Sequence, residues 1–329
     1  MKPLQTLLAT AAILLLGASM AQEDGVAEDR VVEVGMEAVG TFSWINFAME
    51  HYGIDEELGF DIETTSYATK QAKQLALQSG ESDLVVDDIT GVALWHEQGL
   101  DVKGVYPYSI ATGGVVVRAD SDIQTIEDLS GATIAATDLG DKTLLILRSL
   151  LVGEHGFDPQ VDGEIVSAAP PLMSELLARG EIDAAIPPWH FVARMVATGE
   201  FREIISAVDM LEQLGASTDL PILMVAARTD MDPQLLSDYI QAMNMTIERM
   251  KGDDEIFQLI LDEELYSLPD PSVFPQVIER WEAGIPQRWD QEVIDGIVDL
   301  IDEMVELAGS EVVGVEGGDA EAFTAEYNP

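Results

Sequence analysis

Apolar residues along the chain fall into two patterns. Some form short runs without alternation, such as Leu84-Val85-Val86 and Ala184-Ala185-Ile186, and others recur three and four apart over longer stretches. The first pattern suits strands covered on both faces of a sheet, the second amphipathic helices. Strand-like segments at 31–36, 60–67, 84–86 and 102–105 are interleaved with helix-like ones at 41–52 and 70–79. A second series has strands at 113–118, 132–136, 164–167 and 184–186, with helices at 142–153, 172–179 and 191–198. A strand at 221–227 then precedes helices at 233–250, 256–261, 274–283 and 291–308, while 314–329 shows no usable period. This alternation predicts an α/β fold of βαβ units with mostly parallel sheets.

One device occurs twice. Residues 75–88 (LALQSGESDLVVDD) and 176–189 (LLARGEIDAAIPPW) each run from a helix end through a Gly-Glu-x-Asp turn into a short apolar strand. Gly80 and Gly180 suit the left-handed position that closes a helix. The repeat predicts two lobes, residues 31–110 with 222–329 and residues 111–221, joined by crossings near 108–114 and 219–223. Ligands on open α/β sheets bind beyond the carboxyl ends of the strands. Asp87, Asp88, Pro188 and Trp189 are therefore expected to face one shared cleft.

Residues 1–21 read as a secretory signal: Lys2, an apolar run from Leu7 to Leu16, then Ser19-Met20-Ala21 as a small-x-small cleavage site. Residues 22–30 are a polar, acidic leader. The apolar run is shorter than the ~20 residues that span a bilayer. With no cysteine, a lipid anchor on cysteine, disulfides and thiolate metal sites are excluded. These features predict a free, monomeric periplasmic protein without membrane insertion.

Sixty-one acidic residues against 16 Lys plus Arg give a formal charge of −45, which argues against nucleic-acid or anionic-membrane partners. Concentrated salt, with a Debye length of ~3 Å at 1 M, screens the self-repulsion such a charge creates. The composition thus points to a saline habitat, the alternative being an ordinary acidic periplasmic protein.

No enzyme signature is present. G-x-S-x-G, H-E-x-x-H and G-x-G-x-x-G are absent, and Gly140-Asp141-Lys142-Thr143 lacks the adjacent Gly-Lys of a phosphate loop. His51, His96, His155 and His190 lack metal-ligand spacing, so no cofactor or metal is expected. Residues 137–143 lie between a strand and a helix, where free backbone N–H groups make an anion pocket unless Asp141 merely caps the helix. Trp189-His190 opens a helix after the second repeat, so Trp189 is either a ligand-stacking ring or a packed one. Asp87 and Asp88 either cap a helix near Thr90 or accept an ammonium group. Thr41, Ser43 and Trp44 either cap or contact a ligand.

The runs 75–83, 126–136 (IEDLSGATIAA) and 176–183, in this order and spacing, resemble the nitrate/sulfonate/taurine class of ABC-transporter periplasmic substrate-binding proteins. The resemblance implies a two-lobed type II periplasmic binding fold that closes on a small solute and delivers it to a membrane permease and ATPase. It implies ligand positions at Thr41, Ser43, Trp44, Tyr67, Asp88, Thr112, Asp138, Lys142, Thr143, Trp189 and His190. Few of these are basic, which favours a zwitterion or an amine-bearing solute over nitrate or a simple sulfonate. Two other readings are a periplasmic sensor module and an enzyme on the same fold, a pyrimidine-precursor synthase or a dehydratase; the synthases' cysteine-rich iron motif is absent.

Overall fold

The computed structural model describes residues 30–38, 40–110, 113–268 and 270–327. The expected signal segment and nearly all of the leader, together with Thr112, lie outside them. Two five-stranded sheets form the frame. The first has the order β2-β1-β3-β10-β4, from β1 Val31–Glu37, β2 Asp61–Tyr67, β3 Leu84–Asp88, β4 Val102–Ser109 and β10 Leu223–Arg228. The second has the order β7-β6-β8-β5-β9, from β5 Gly114–Arg118, β6 Thr133–Ala136, β7 Glu164–Ser167, β8 Ala184–Ile186 and β9 Phe201–Ser206.

In each sheet one strand opposes the other four: β10 is antiparallel to β3 and β4, and β5 to β8 and β9. Both are the strands that follow a crossing. The remaining strands point their carboxyl ends at the cleft, so a chain crossing from one lobe enters the other at that same end and must run away from it. The sheets are mostly parallel as expected, with the reversed strand set by the crossing.

Helices cover the sheets: α1 Phe42–Tyr52, α2 Ile54–Leu58, α3 Lys70–Ser79, α4 Ile89–Glu97, α5 Lys142–Leu150, α6 Pro159–Asp162, α7 Pro170–Arg179, α8 Trp189–Ala197 and α9 Ala207–Gln213. After β10 come α10 Pro233–Met250, α11 Asp254–Asp262, α12 Phe274–Ala283, α13 Gln291–Ala308 and α14 Ser310–Val313. The edge strand β9 and helix α9 were not legible, because Arg202 and Glu203 interrupt the apolar run.

Of residues 222–329, α10, α11 and α12 join the first lobe's core around Trp44, Tyr239 and Phe257. Helix α13 instead packs on α5 of the second sheet. Its apolar stripe, Ile294, Ile297, Ile301 and Met304, enters a core containing both Val85 of the first sheet and Ile186 of the second. Among the described residues no helix is long and apolar enough to cross a membrane.

Candidate ligand-binding cleft

The strand ends of both lobes meet at an interlobe cleft, as the repeat predicts. A cavity of about 100 Å³ at its inner end is walled by Met36, Phe42, Tyr108 and Trp189, with Thr41, His190 and three charged residues, Glu37, Lys73 and Lys142. A larger chamber of about 390 Å³ lies beside it, lined by Lys70, Asp87, Asp88, Asp138 and Pro170. Glu37, Lys73, Lys142, Pro188 and Leu223 border both and mark the junction.

Two helix starts face the inner cavity without a side-chain cap. Thr41 precedes α1 but does not cap it; its hydroxyl shares a 2.9 Å hydrogen bond with Tyr108. Pro188 precedes α8 and has no capping side chain to offer. First-turn N–H groups that helices leave unpaired, with the positive end of the dipole, favour an anion.

The start of α5 differs. Asp141 accepts Thr143 N–H at 3.0 Å and Leu144 N–H at 3.1 Å, and also the Thr137 hydroxyl at 2.6 Å. The anion pocket expected there is filled by the chain's own carboxylate.

The acids of the first lobe are likewise engaged. Asp88 caps α4 through Gly91 N–H at 2.8 Å, accepts from the Thr90 hydroxyl, and pairs with Lys70. Asp87 accepts its neighbour's N–H at 2.9 Å and the Gln74 amide at 3.1 Å. Burial alone would raise the Asp88 carboxyl, but the Lys70 charge and hydrogen bond outweigh it and bring it down to about 2. Burial would likewise lower the Lys70 ammonium, and Asp88 and Asp87 reverse that and raise it. Lys73 is buried, donating to Glu37 at 2.8 Å and to the carbonyl of Val86. Burial would raise Glu37, yet Lys73, with Lys142 and Lys70 nearby, holds it below its ordinary value.

The expectation of few basic cleft positions is therefore corrected: Lys70, Lys73 and Lys142 all line the cleft. Lys70 and Lys73 sit three apart at the start of α3, where cations oppose the helix dipole. That unfavourable placement is the sequence signal that could have found them.

Of the sequence-derived site residues, Thr41, Lys142, Trp189 and His190 meet at the inner cavity, and Asp88, Asp138 and Lys142 at the outer chamber. Trp44 lines neither; it packs in an aromatic cluster with Tyr266 at 5.2 Å and Trp189 at 6.3 Å. Ser43 donates to the carbonyl of Gly40 at 2.9 Å, and Tyr67 donates to Glu81 at 3.1 Å, away from both spaces. Thr143 is buried inside α5's first turn. Glu37, Lys73, Tyr108 and Phe42 are cleft residues the sequence reading missed.

The family profile described as NMT1/THI5 like matches residues 53–255, more than half of the chain. The chain belongs to the NMT1/THI5-like family. Comparison with curated proteins gives no match. Among solved structures it is similar to a Bordetella bronchiseptica RB50 protein, with 18% identity, TM-score 0.73, and coverage of 90% of this chain and 95% of that one. It is also similar to the alkanesulfonate-binding protein SsuA from Xanthomonas axonopodis pv. citri bound to MOPS, with 17% identity, TM-score 0.69 and coverage of 91% and 99%. The periplasmic aliphatic sulphonate binding protein SsuA from Escherichia coli gives 16% identity, TM-score 0.65 and coverage of 89% and 91%. At these identities the likeness shows a shared two-lobed fold.

Proposed function

We propose that this chain is the periplasmic solute-binding component of an ABC importer. It holds a small organic solute, sulfonate- or taurine-like or otherwise amine-bearing, in the interlobe cleft and delivers it to a membrane permease and ATPase. The observation that carries this reading is the inner cavity, where two helix starts without side-chain caps, Lys142 and the Thr41–Tyr108 hydroxyl pair converge between aromatic walls. Such a site binds an anionic head group by oriented dipoles and one cation, and packs the organic remainder against rings. The lineage and the sulfonate-binding names of its structural neighbours support the same reading.

The role is binding without turnover. The cleft carboxylates that could serve as bases are already engaged: Asp88 caps α4 and pairs with Lys70, and Asp141 caps α5. The lobes meet outside the crossings as well: Lys70 reaches the carbonyl of Gly140 at 3.4 Å and Gln71 reaches Asp138 at 3.3 Å. These exposed contacts rim the cleft, while the buried Tyr266 hydroxyl donating to the His190 carbonyl at 2.8 Å and the Arg280–Glu203 pair at 2.5 Å tie the lobes on another side. We read the charge of −45 as suited to external salt, and the melting temperature is expected to be lower in dilute buffer than in molar NaCl.

The test is a thermal-shift screen in molar salt against taurine, alkanesulfonates, nitrate, betaines, polyamines and pyrimidines. A true ligand at 100 times its Kd stabilises by about 2.7 kcal/mol. No shift with any solute, or appearance of a chemical product from one, contradicts the proposal.

A further inference from the structure

The junction between the two chambers holds opposite charges from opposite lobes. Glu37 ends β1 in the first lobe, and Lys142 begins α5 in the second. Both border both chambers. Glu37 spends one oxygen on Lys73, while its Oε2 accepts no hydrogen bond among the described residues, and its side chain keeps 38% of its surface exposed. Lys142 donates no hydrogen bond among the described residues. Its nearest carboxylate oxygen, on Asp141, is 3.9 Å away and already accepts from Thr137. Glu37 and Lys142 feel each other's charge but form no ion pair with each other among the described residues.

A guest carrying only an anion would leave the Glu37 carboxylate beside it, stripped of water and repelling it. A guest carrying only a cation would do the same to Lys142. Losing water without gaining a partner is costly for either ion. One molecule bearing both charges satisfies each with a charge-assisted hydrogen bond and ties the first lobe to the second.

Resting on the solute-binding reading of the cleft, we infer that its guest is a small zwitterion, with Glu37 receiving the cationic group and Lys142 the anionic one. Glu37 is thereby the residue that sets specificity. Its neighbour Lys73 fixes its orientation and is not free to replace the guest's cation, since it is buried against the carbonyl of Val86.

The experiment is calorimetric titration of the chain in molar NaCl with matched solutes: taurine against ethanesulfonate and ethylamine, 3-aminopropanesulfonate against propanesulfonate and propylamine, and γ-aminobutyrate against butyrate. At least one zwitterion is expected to bind about tenfold or more tightly than both partners lacking one charge. Glu37→Gln is expected to erase the preference for the zwitterion over the plain anion, and Lys142→Met to erase the preference over the amine. Should either variant fail to fold, the wild-type ratios decide alone. A plain sulfonate or carboxylate binding as tightly as its zwitterion overturns the inference and leaves the solute-binding reading standing. Absence of binding by every member overturns the inference too, and the wider thermal-shift screen then judges the reading beneath it.

Discussion

The two halves of the molecule use one scaffold down to single hydrogen bonds and part company only at the cleft. Gly80 and Gly180 both close their helices in the left-handed conformation, at φ 78° and 68°. Asp83 accepts the N–H of Glu33 at 3.0 Å, and Asp183 accepts that of Thr133 at 2.8 Å, each carboxylate tying its turn to the neighbouring strand. Arg228 and Arg118, ending the two reversed strands, each fork onto an aspartate two residues later, Asp230 and Asp120. Past the strands the likeness stops. The first lobe presents Asp87-Asp88 with Lys70 and Lys73, whereas the second presents Pro187-Pro188 and the uncapped start of α8 at Trp189. The far ends of the repeat make the lobe, and the near ends line the cleft.

That contrast can be broken deliberately. Asp88→Ala removes a helix cap and leaves Lys70 without its closest partner in the cleft wall, and it is expected to cost ~2–4 kcal/mol in denaturant unfolding. Pro188→Ala, at the matching position of the second lobe, is expected to cost under about 1 kcal/mol.

Acid separates the halves in the same way. The Asp88 carboxyl is depressed to about 2 in the folded chain, below its ordinary value of 3.8. Its contribution is therefore complete above about pH 4 and is lost as pH falls towards 2. Stability measured across that window should fall less steeply in Asp88→Asn than in wild type. An unchanged slope would show that the Lys70 pair is not felt.

At the shared end, symmetry should hold. Asp83→Ala and Asp183→Ala are each expected to cost ~1–2 kcal/mol, by leaving a strand N–H unpaired, with no change in solute affinity. Smallest are Gly80→Ala and Gly180→Ala, about 1 kcal/mol each for the left-handed backbone. Gly80 should be the more sensitive, because an added methyl would meet the Arg228 guanidinium, while at Gly180 the Arg118 guanidinium stands 3.6 Å off.

The shared end was also the legible one. Uninterrupted apolar runs and a Gly-Glu-x-Asp turn are local signals, so the strands at 164–167 and 184–186 and the helices at 233–250 and 291–308 are readable with their limits. The cleft was legible where a residue sits at a strand's end or in the turn and helix start after it, as Asp88, Thr41, Asp138, Lys142, Trp189 and His190 do. Three residues further into α1 the helix turns Trp44 into the aromatic core, and Tyr67 ends the edge strand β2. Glu37 and Lys73 were missed because an acid on a strand and a lysine on a helix look like surface residues. Only the pairing of β1 beside β3, with α3 covering them, brings the two within 2.8 Å.

The cleft's claim to a guest is tested most directly by titrating the strongest binder from the solute screen into wild type and Lys142→Met side by side, in molar salt. Single-site binding weakened about tenfold or more by the substitution, with the melting temperature of the free protein unchanged, is the expected result. Equal affinity in the two proteins would place the guest elsewhere and contradict the assignment of the interlobe cavity as its seat.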